Sequence, residues 1–371
     1  MKILLAGGGT GGHVIPTLAV AAQLESKAPD TELLYIGSRV SSDAKLVEAA
    51  GLPFRAITTG KLRRYWSWQN VVDVFKFLTG LVQAGKILRE FRPDVVFAKG
   101  GYVALPVVLA AKRQHIPVVV HESDSRLGLA NRLAIPSASK VAVSFPIDEY
   151  IRQQPNLGRY RAKFIYTGLP LPDSLLRDSG RPVFSNQRPT ILVTGGSQGA
   201  QAINQAVWEI LPELLAKYNL VHQVGANGLT EAERHVQVLP PGLGEYYRPF
   251  GFDADFYQQA LHAADLVVAR AGSMVFELQA LAKPAILIPL PHSAGGHQHR
   301  NAKFLVEHDA AVAIDQRQLT ANGLMAVIEQ LMSDQTLRER LAQNLSTLGK
   351  VNVAASRTLA DLVIATAQHV R

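Results

Sequence analysis

The amino-acid sequence predicts an α/β protein built as two nucleotide-binding-type halves, each a parallel sheet covered on both faces by helices. Short apolar runs alternate with longer amphipathic stretches, the pattern of parallel strands joined by helical crossovers. The opening theme, an apolar run ending in Gly7-Gly8-Gly9, is restated by a second apolar run ending in Gly195-Gly196. A chain of 371 residues with 47% hydrophobic and 18% charged residues is also long enough to bury two cores.

In chain order, residues 3–6, 33–36, 95–98, 118–120 and 141–143 read as buried strands of the first half. Residues 191–194, 266–269 and 285–288 read as strands of the second half. The polar, Pro- and Gly-bearing stretch 153–187 is the expected connection, which places a first domain at 1–166 and a second at 167–353. Residues 354–371 read as a closing helix that returns to pack on the first domain. The absence of cysteine excludes disulfides and thiolate chemistry and favours a reducing compartment. Residues 1–7 run straight into a strand and a glycine loop, so no export signal is expected. No apolar run reaches the roughly eighteen residues of a membrane span, so membrane contact is expected to be peripheral. A formal net charge of +8 biases the chain toward anionic partners, with nucleic acid, anionic lipid and phosphorylated substrates all open on charge alone.

The motifs with chemical content sit where strands meet helices. Gly7-Gly8-Gly9-Thr10-Gly11-Gly12-His13 lets backbone amides approach a ligand at a helix N-terminus, an anion-friendly arrangement. It is neither the dinucleotide fingerprint nor a Walker loop. His13 suits a general base or a hydroxyl-positioning group, and equally a polar helix cap. Gly195-Gly196-Ser197-Gln198-Gly199-Ala200 repeats the logic, adding the Ser197 hydroxyl. In Arg270-Ala271-Gly272-Ser273-Met274-Val275-Phe276-Glu277 a third helix N-terminus is available to a diphosphate. Glu277 there is either a ribose acceptor or an ordinary first-turn acid. The loop 292–296 leads to His297-Gln298, whose groups suit sugar hydroxyls. His292, His297 and His299 lack the i, i+4 spacing and nearby carboxylates of a zinc site, and Asp253-Ala254-Asp255 reads as a helix cap rather than a metal-holding pair. Arg63, Arg64, Trp66 and Trp68, with Phe75 downstream, have the composition of a surface that lies on anionic lipid, or of a packed helix or an RNA-binding patch.

Taken in order along nearly the whole chain, Gly8–His13, Gly100-Gly101-Tyr102-Val103, His121-Glu122-Ser123, Gly195–Ala200, Arg270–Ser273 and His297-Gln298-x-x-Asn301-Ala302 closely resemble the MurG family of peptidoglycan N-acetylglucosaminyltransferases. The resemblance implies the GT-B fold, two Rossmann-like domains facing across a cleft, and a metal-free inverting transfer from UDP-GlcNAc to a lipid-linked muramyl-pentapeptide, lipid I, giving lipid II. It implies no cofactor, no nucleic-acid partner, and a peripheral place on the cytoplasmic face of the bacterial plasma membrane. By matching position, it makes Thr10, Gly11, Gly12, Asn131, Ser197, Phe252, Ser273, Met274, Glu277, His297 and Gln298 donor-site residues, with Glu277 on the ribose, the Phe252 backbone on uracil and Gln298 on a sugar hydroxyl. His13 becomes the candidate base, with Glu122 in the acceptor region as second candidate. Three positions depart from the family pattern. Leu169-Pro170-Leu171-Pro172 replaces Asn-Pro-x-Arg, with Arg177 as the nearest substitute; the stretch from Gly272 to Glu277 is one residue shorter; and Ala104-Leu105 stands where a smaller pair is usual. The competing readings are a GT-B enzyme with another lipid-linked acceptor, a UDP-GlcNAc 2-epimerase, and a non-catalytic nucleotide-sugar-binding subunit.

Overall fold

The computed structural model describes residues 1–8, 11–39, 43–60, 69–178, 180–196 and 198–368. The chain divides into two compact units, Met1–Asp173 with Val351–Arg371, and Ser174–Lys350. In the first unit β1 (Lys2–Ala6), α1 (Gly11–Lys27), β2 (Glu32–Ser38), α2 (Asp43–Ala49) and β3 (Phe54–Ile57) lead to the long α3 (Gln69–Phe91). Then follow β4 (Val95–Ala98), α4 (Gly101–Arg113), β5 (Val118–Glu122), α5 (Leu129–Ala134), β6 (Lys140–Val143), α6 (Ile147–Gln153), β7 (Phe164–Tyr166) and the short α7 (Asp173–Leu176) at the edge of the second unit.

The second unit contains β8 (Thr190–Thr194), α8 (Gln201–Glu209), α9 (Leu211–Lys217), β9 (Asn219–Gln223), α10 (Leu229–Gln237), β10 (Tyr247–Phe250) and α11 (Ala254–Ala263). It continues through β11 (Leu266–Ala269), α12 (Met274–Leu281), β12 (Ala285–Leu287), α13 (His297–Glu307), β13 (Val312–Ala313) and α14 (Ala321–Ser333) into α15 (Gln335–Gln368).

The two sheets are built alike. Their strand orders are β3-β2-β1-β4-β5-β6-β7 and β10-β9-β8-β11-β12-β13. Counted within each unit, both run 3-2-1-4-5-6, the first sheet adding a seventh strand, and every pairing is parallel. A parallel strand covered on both faces must be apolar throughout, which is why Ile3, Leu4, Leu5 and Ala6, and likewise Ile191, Leu192 and Val193, are fully buried. Each such Ile, Leu or Val side chain contributes about 1.5–3 kcal/mol of burial. The C-terminal part of α15 belongs to the first core: Leu359, Ala360 and Val363 pack with Leu5, Val20 and Phe97. Asn352 accepts from the Leu169 amide at 3.0 Å and Ser356 donates to the Leu171 carbonyl at 2.7 Å, so the Leu-Pro-Leu-Pro segment is held by that helix.

In both units the chain order reverses beside the first strand, between β1 and β4 and between β8 and β11. At such a switch point successive helices depart to opposite faces, and the loops at the carboxyl ends of the strands part to admit a ligand. The glycine motifs fall at these two places.

Candidate active site

In the first unit, the loop after β1 leads into α1, which starts Gly11-Gly12-His13. Pro16 lies inside this helix and has no amide to offer the Gly12 carbonyl, while the Thr17 hydroxyl donates to the His13 carbonyl at 2.7 Å. The loop after β4 is Lys99-Gly100-Gly101, and Gly100 and Gly101 take φ of 97° and 77°, a region that side chains disfavour. A Cβ on Gly101 would stand 2.7 Å from the Gly8 carbonyl oxygen and 3.2 Å from the His13 ring; one on Gly100 would stand 2.9 Å from the Asn131 amide nitrogen. Only glycines let these three segments close on one another.

β5 delivers His121-Glu122 to the same edge. The Glu122 carboxylate accepts from the Ser123 and Asp124 amides at 2.9 and 3.0 Å through Oε1, and from the Gly128 amide and Asn131 Nδ2 at 2.8 and 3.0 Å through Oε2. Burial and the neighbouring Asp124 push this carboxyl above its ordinary range, and the bonds from Gly128, Asp124 and Asn131 oppose that rise. Glu122 is thereby committed to shaping the 123–131 loop. Asn131 completes the bracket by donating to the His121 carbonyl at 3.1 Å. His121 is fully buried with Nε2 on the Gly168 carbonyl at 2.9 Å, and burial followed by the Lys99 charge holds it far below the usual imidazole range.

Lys99 was not legible as a site residue among the motifs, although a cation closing an apolar strand just before Gly-Gly is a visible signal. It is 1% exposed and its ammonium donates to the Ser123 hydroxyl. Burial brings its pKa down to about 8, against the pull of Glu122 and Asp124. His13, enclosed at Nδ1, falls to about 3 through burial and then the Lys99 charge, so its imidazole is neutral at any working pH.

The second unit has the quieter chemistry. Gly196 and Gly199 of the loop after β8 have φ of 85° and 75°, and the Gly199 amide donates to the Gly196 carbonyl at 2.8 Å. The Gly196 amide donates to the Thr194 hydroxyl at 3.1 Å, which fixes the entry to α8. After β11, Arg270 donates to the Ile288 carbonyl at 2.9 Å and Asn301 to the Ala271 carbonyl at 3.1 Å, which seats Gly272-Ser273 ahead of α12. Glu277, one turn into α12, accepts from the Tyr257 hydroxyl at 2.6 Å. Burial raises its carboxyl above the ordinary range, and the Tyr257 bond opposes that rise. Gln298, at the start of α13, accepts from the Leu290 amide at 2.8 Å through Oε1, and its Nε2 lies within 4.0 Å of the position a Gly272 Cβ would take.

Thus Gly11, Gly12, His13, Asn131 and Glu122 meet at one sheet edge, while Ser273, Met274, Glu277, His297 and Gln298 occupy the starts of α12 and α13 at the other. Phe252 is 66% exposed in the turn before α11, where Asp253 caps the helix by accepting from the Phe256 amide at 2.9 Å. Arg177 is exposed beyond α7. Thr10 and Ser197, and Arg63, Arg64, Trp66 and Trp68 of the basic aromatic stretch, lie outside the described residues. Among the described residues no three His, Asp or Glu side chains gather as a metal cluster would require.

Comparison with known proteins agrees with this fold. Residues 3–143 match the glycosyltransferase family 28 N-terminal domain and residues 190–357 the glycosyltransferase family 28 C-terminal domain. A Lachnospira eligens UDP-N-acetylglucosamine–N-acetylmuramyl-(pentapeptide) pyrophosphoryl-undecaprenol N-acetylglucosamine transferase is 38% identical, over 90% of this chain and 91% of its own length. A Listeria monocytogenes protein of the same name is 35% identical over 98% of this chain and 99% of its own. The crystal structure of Acinetobacter baumannii MurG superposes with a TM-score of 0.74 at 26% identity, covering 98% of this chain and 100% of that one. A Neisseria meningitidis UDP-GlcNAc 2-epimerase gives a TM-score of 0.71 at 15% identity, covering 98% of this chain and 100% of that one, a likeness of fold alone. With both family domains present in order and relatives of this identity spanning almost the entire length, the chain belongs to glycosyltransferase family 28 and, within it, to the MurG family.

Proposed function

We propose that this chain transfers N-acetylglucosamine from UDP-N-acetylglucosamine to the muramyl-pentapeptide carried on undecaprenyl diphosphate, turning lipid I into lipid II with inversion at the anomeric carbon. The observation that carries the reading is the near full-length match to relatives named for this transfer. A single displacement through an oxocarbenium-like state needs one base and no enzyme nucleophile. His13 is that base: its ring is already neutral, and anionic substrates at the α1 loop raise its proton affinity toward the range a general base needs. Glu122 is the weaker candidate, because four donors occupy its carboxylate.

The departing UDP develops charge on its diphosphate, and amides at the starts of α8 and α12 are placed to stabilise it without a metal. Glu277 takes the ribose hydroxyls and Gln298 a sugar hydroxyl. No helix among the described residues is long and apolar enough to cross a membrane. The reading places the chain peripherally on the cytoplasmic leaflet through α3, which exposes Val72, Val74, Phe75, Leu78 and Val82 beside Lys76 and Lys86.

The test is product analysis with UDP-N-acetylglucosamine and lipid I. A β-linked disaccharide on the lipid is expected, and an α-linked product overturns the mechanism. His13→Ala is expected to lower turnover by about a hundredfold or more at nearly unchanged UDP affinity; near-normal turnover removes His13 from the role.

A further inference from the structure

We propose that Tyr257 is a positioning residue of the donor site, which fixes the Glu277 carboxylate so that it reads the hydroxyls of a ribose. The inference rests on the reading of Glu277 as the ribose acceptor. Tyr257 stands on α11, the helix that begins directly after the exposed Phe252 turn, and reaches across to α12. Its hydroxyl donates to Glu277 Oε2 at 2.6 Å, and the Met274 sulfur lies 3.3 Å from the Tyr257 hydroxyl oxygen. A hydroxyl carries one proton, so the short contact to the carboxylate is the bond and the thioether a packing contact. Both residues are partly buried.

An ionised carboxylate offers about four lone-pair sites. Tyr257 fills one on Oε2, which locks the rotamer and leaves the sites on Oε1 and the second of Oε2 for two adjacent hydroxyls. Without that bond a carboxylate on a flexible side chain pays ordering entropy when the ligand arrives, which is the cost preorganisation removes. The bond also favours the ionised acceptor against the burial that favours protonation. Among the described residues Tyr257 is the titratable group bonded to Glu277; the α13 side chains at the neighbouring Gly272 loop, Gln298 and Asn301, are neutral amides. A site built to hold hydroxyls rejects analogues that lack them, because its acceptor is then left unpaired.

The experiment is calorimetric titration of the full chain with UDP and with 2′-deoxy-UDP, for wild type, Tyr257→Phe and Glu277→Ala, across pH 5 to 8. Tyr257→Phe keeps the ring and removes one bond. It is expected to weaken UDP binding by about three- to tenfold, to shrink the ratio of UDP to 2′-deoxy-UDP affinity, and to move the acid loss of UDP binding to higher pH. An unchanged ratio and an unchanged pH dependence overturn the inference, even if the variant melts earlier. If Glu277→Ala weakens UDP and Tyr257→Phe does not, Tyr257 alone loses its role; if neither variant matters, the ribose reading of Glu277 fails first and takes the inference with it.

Discussion

Lys99→Met tests what the enclosed ammonium costs. A lysine whose pKa falls from 10.5 to about 8 on folding carries about 3 kcal/mol of unfavourable burial at pH 7, at 1.36 kcal/mol per pH unit. That figure already includes the attraction of Glu122 and Asp124. Methionine removes the charge at similar length but loses the bond to Ser123, worth about 1–2 kcal/mol including the hydroxyl left behind. A net gain of about 1–2 kcal/mol at pH 7 is expected. The pH dependence is the sharper readout because packing terms cancel in it. Between about 8 and 10.5 the unfolded wild type binds a proton that the folded protein has released, so wild-type stability rises with pH through that window. The methionine variant has no such rise, and its advantage shrinks by about 3 kcal/mol from pH 7 to pH 10.5. Urea unfolding of both chains at several pH values measures this. A stability difference that stays constant with pH would falsify the placement of a charged lysine in that pocket.

Asn131→Ala removes the donors to the His121 carbonyl and to Glu122 Oε2, and is expected to cost about 2–3 kcal/mol in urea unfolding because one bond is to a buried charge; a loss below 0.5 kcal/mol contradicts the bracket. Gly101→Ala forces a side chain to φ of 77° with its Cβ 2.7 Å from the Gly8 carbonyl; about 1–3 kcal/mol of strain and a fall in turnover are expected. Gly244→Ala, whose nearest neighbour would be 3.9 Å away, serves as the control that stays near wild type. Replacing Phe75 and Val82, 66% and 70% exposed on α3, by serine is expected to reduce co-sedimentation with anionic vesicles by about tenfold or more while sparing UDP affinity; equal sedimentation would remove α3 from the membrane-binding reading.

How much of this was legible in sequence differs by kind of interaction. The strands were readable because a parallel strand covered on both faces leaves no polar position, and residues 3–6 and 191–194 have none until Thr194. Strands β3, β7, β9, β10 and β13 escaped the pattern, since Phe54-Arg55-Ala56-Ile57, Asn219-Leu220-Val221-His222-Gln223, Tyr247-Arg248-Pro249-Phe250 and Val312-Ala313 carry too few residues or too mixed a face. Backbone needs were legible too: Gly7-Gly8 and Gly195-Gly196 announced loops after strands, and the close approaches at Gly8 and Gly195 explain them. Asp253 read as a cap and is one. Long-range side-chain partnerships were not. Nothing in the spacing of Tyr257 and Glu277 signals their bond, and Glu122 reads as a second candidate base until its four donors are seen to come from residues 123–131.

The two switch points share a strand order and divide the chemistry. The first gathers Lys99, His13, His121 and Glu122 in low-dielectric surroundings, each pushed toward its neutral form by burial. Such a cluster costs stability, and proteins keep that cost where charge state must change during a reaction. The second relies mainly on neutral groups, with the Thr194 hydroxyl and the Asn301 and Gln298 amides, beside the Arg270 guanidinium, supporting loops that present backbone donors, and with the Glu277 carboxylate tied down by Tyr257. Neutral, preorganised donors suit holding a diphosphate and a sugar, since they pay no burial cost for charge and need no rearrangement when the ligand arrives. These electrostatics support the proposed division, with proton transfer in the first unit and the nucleotide in the second.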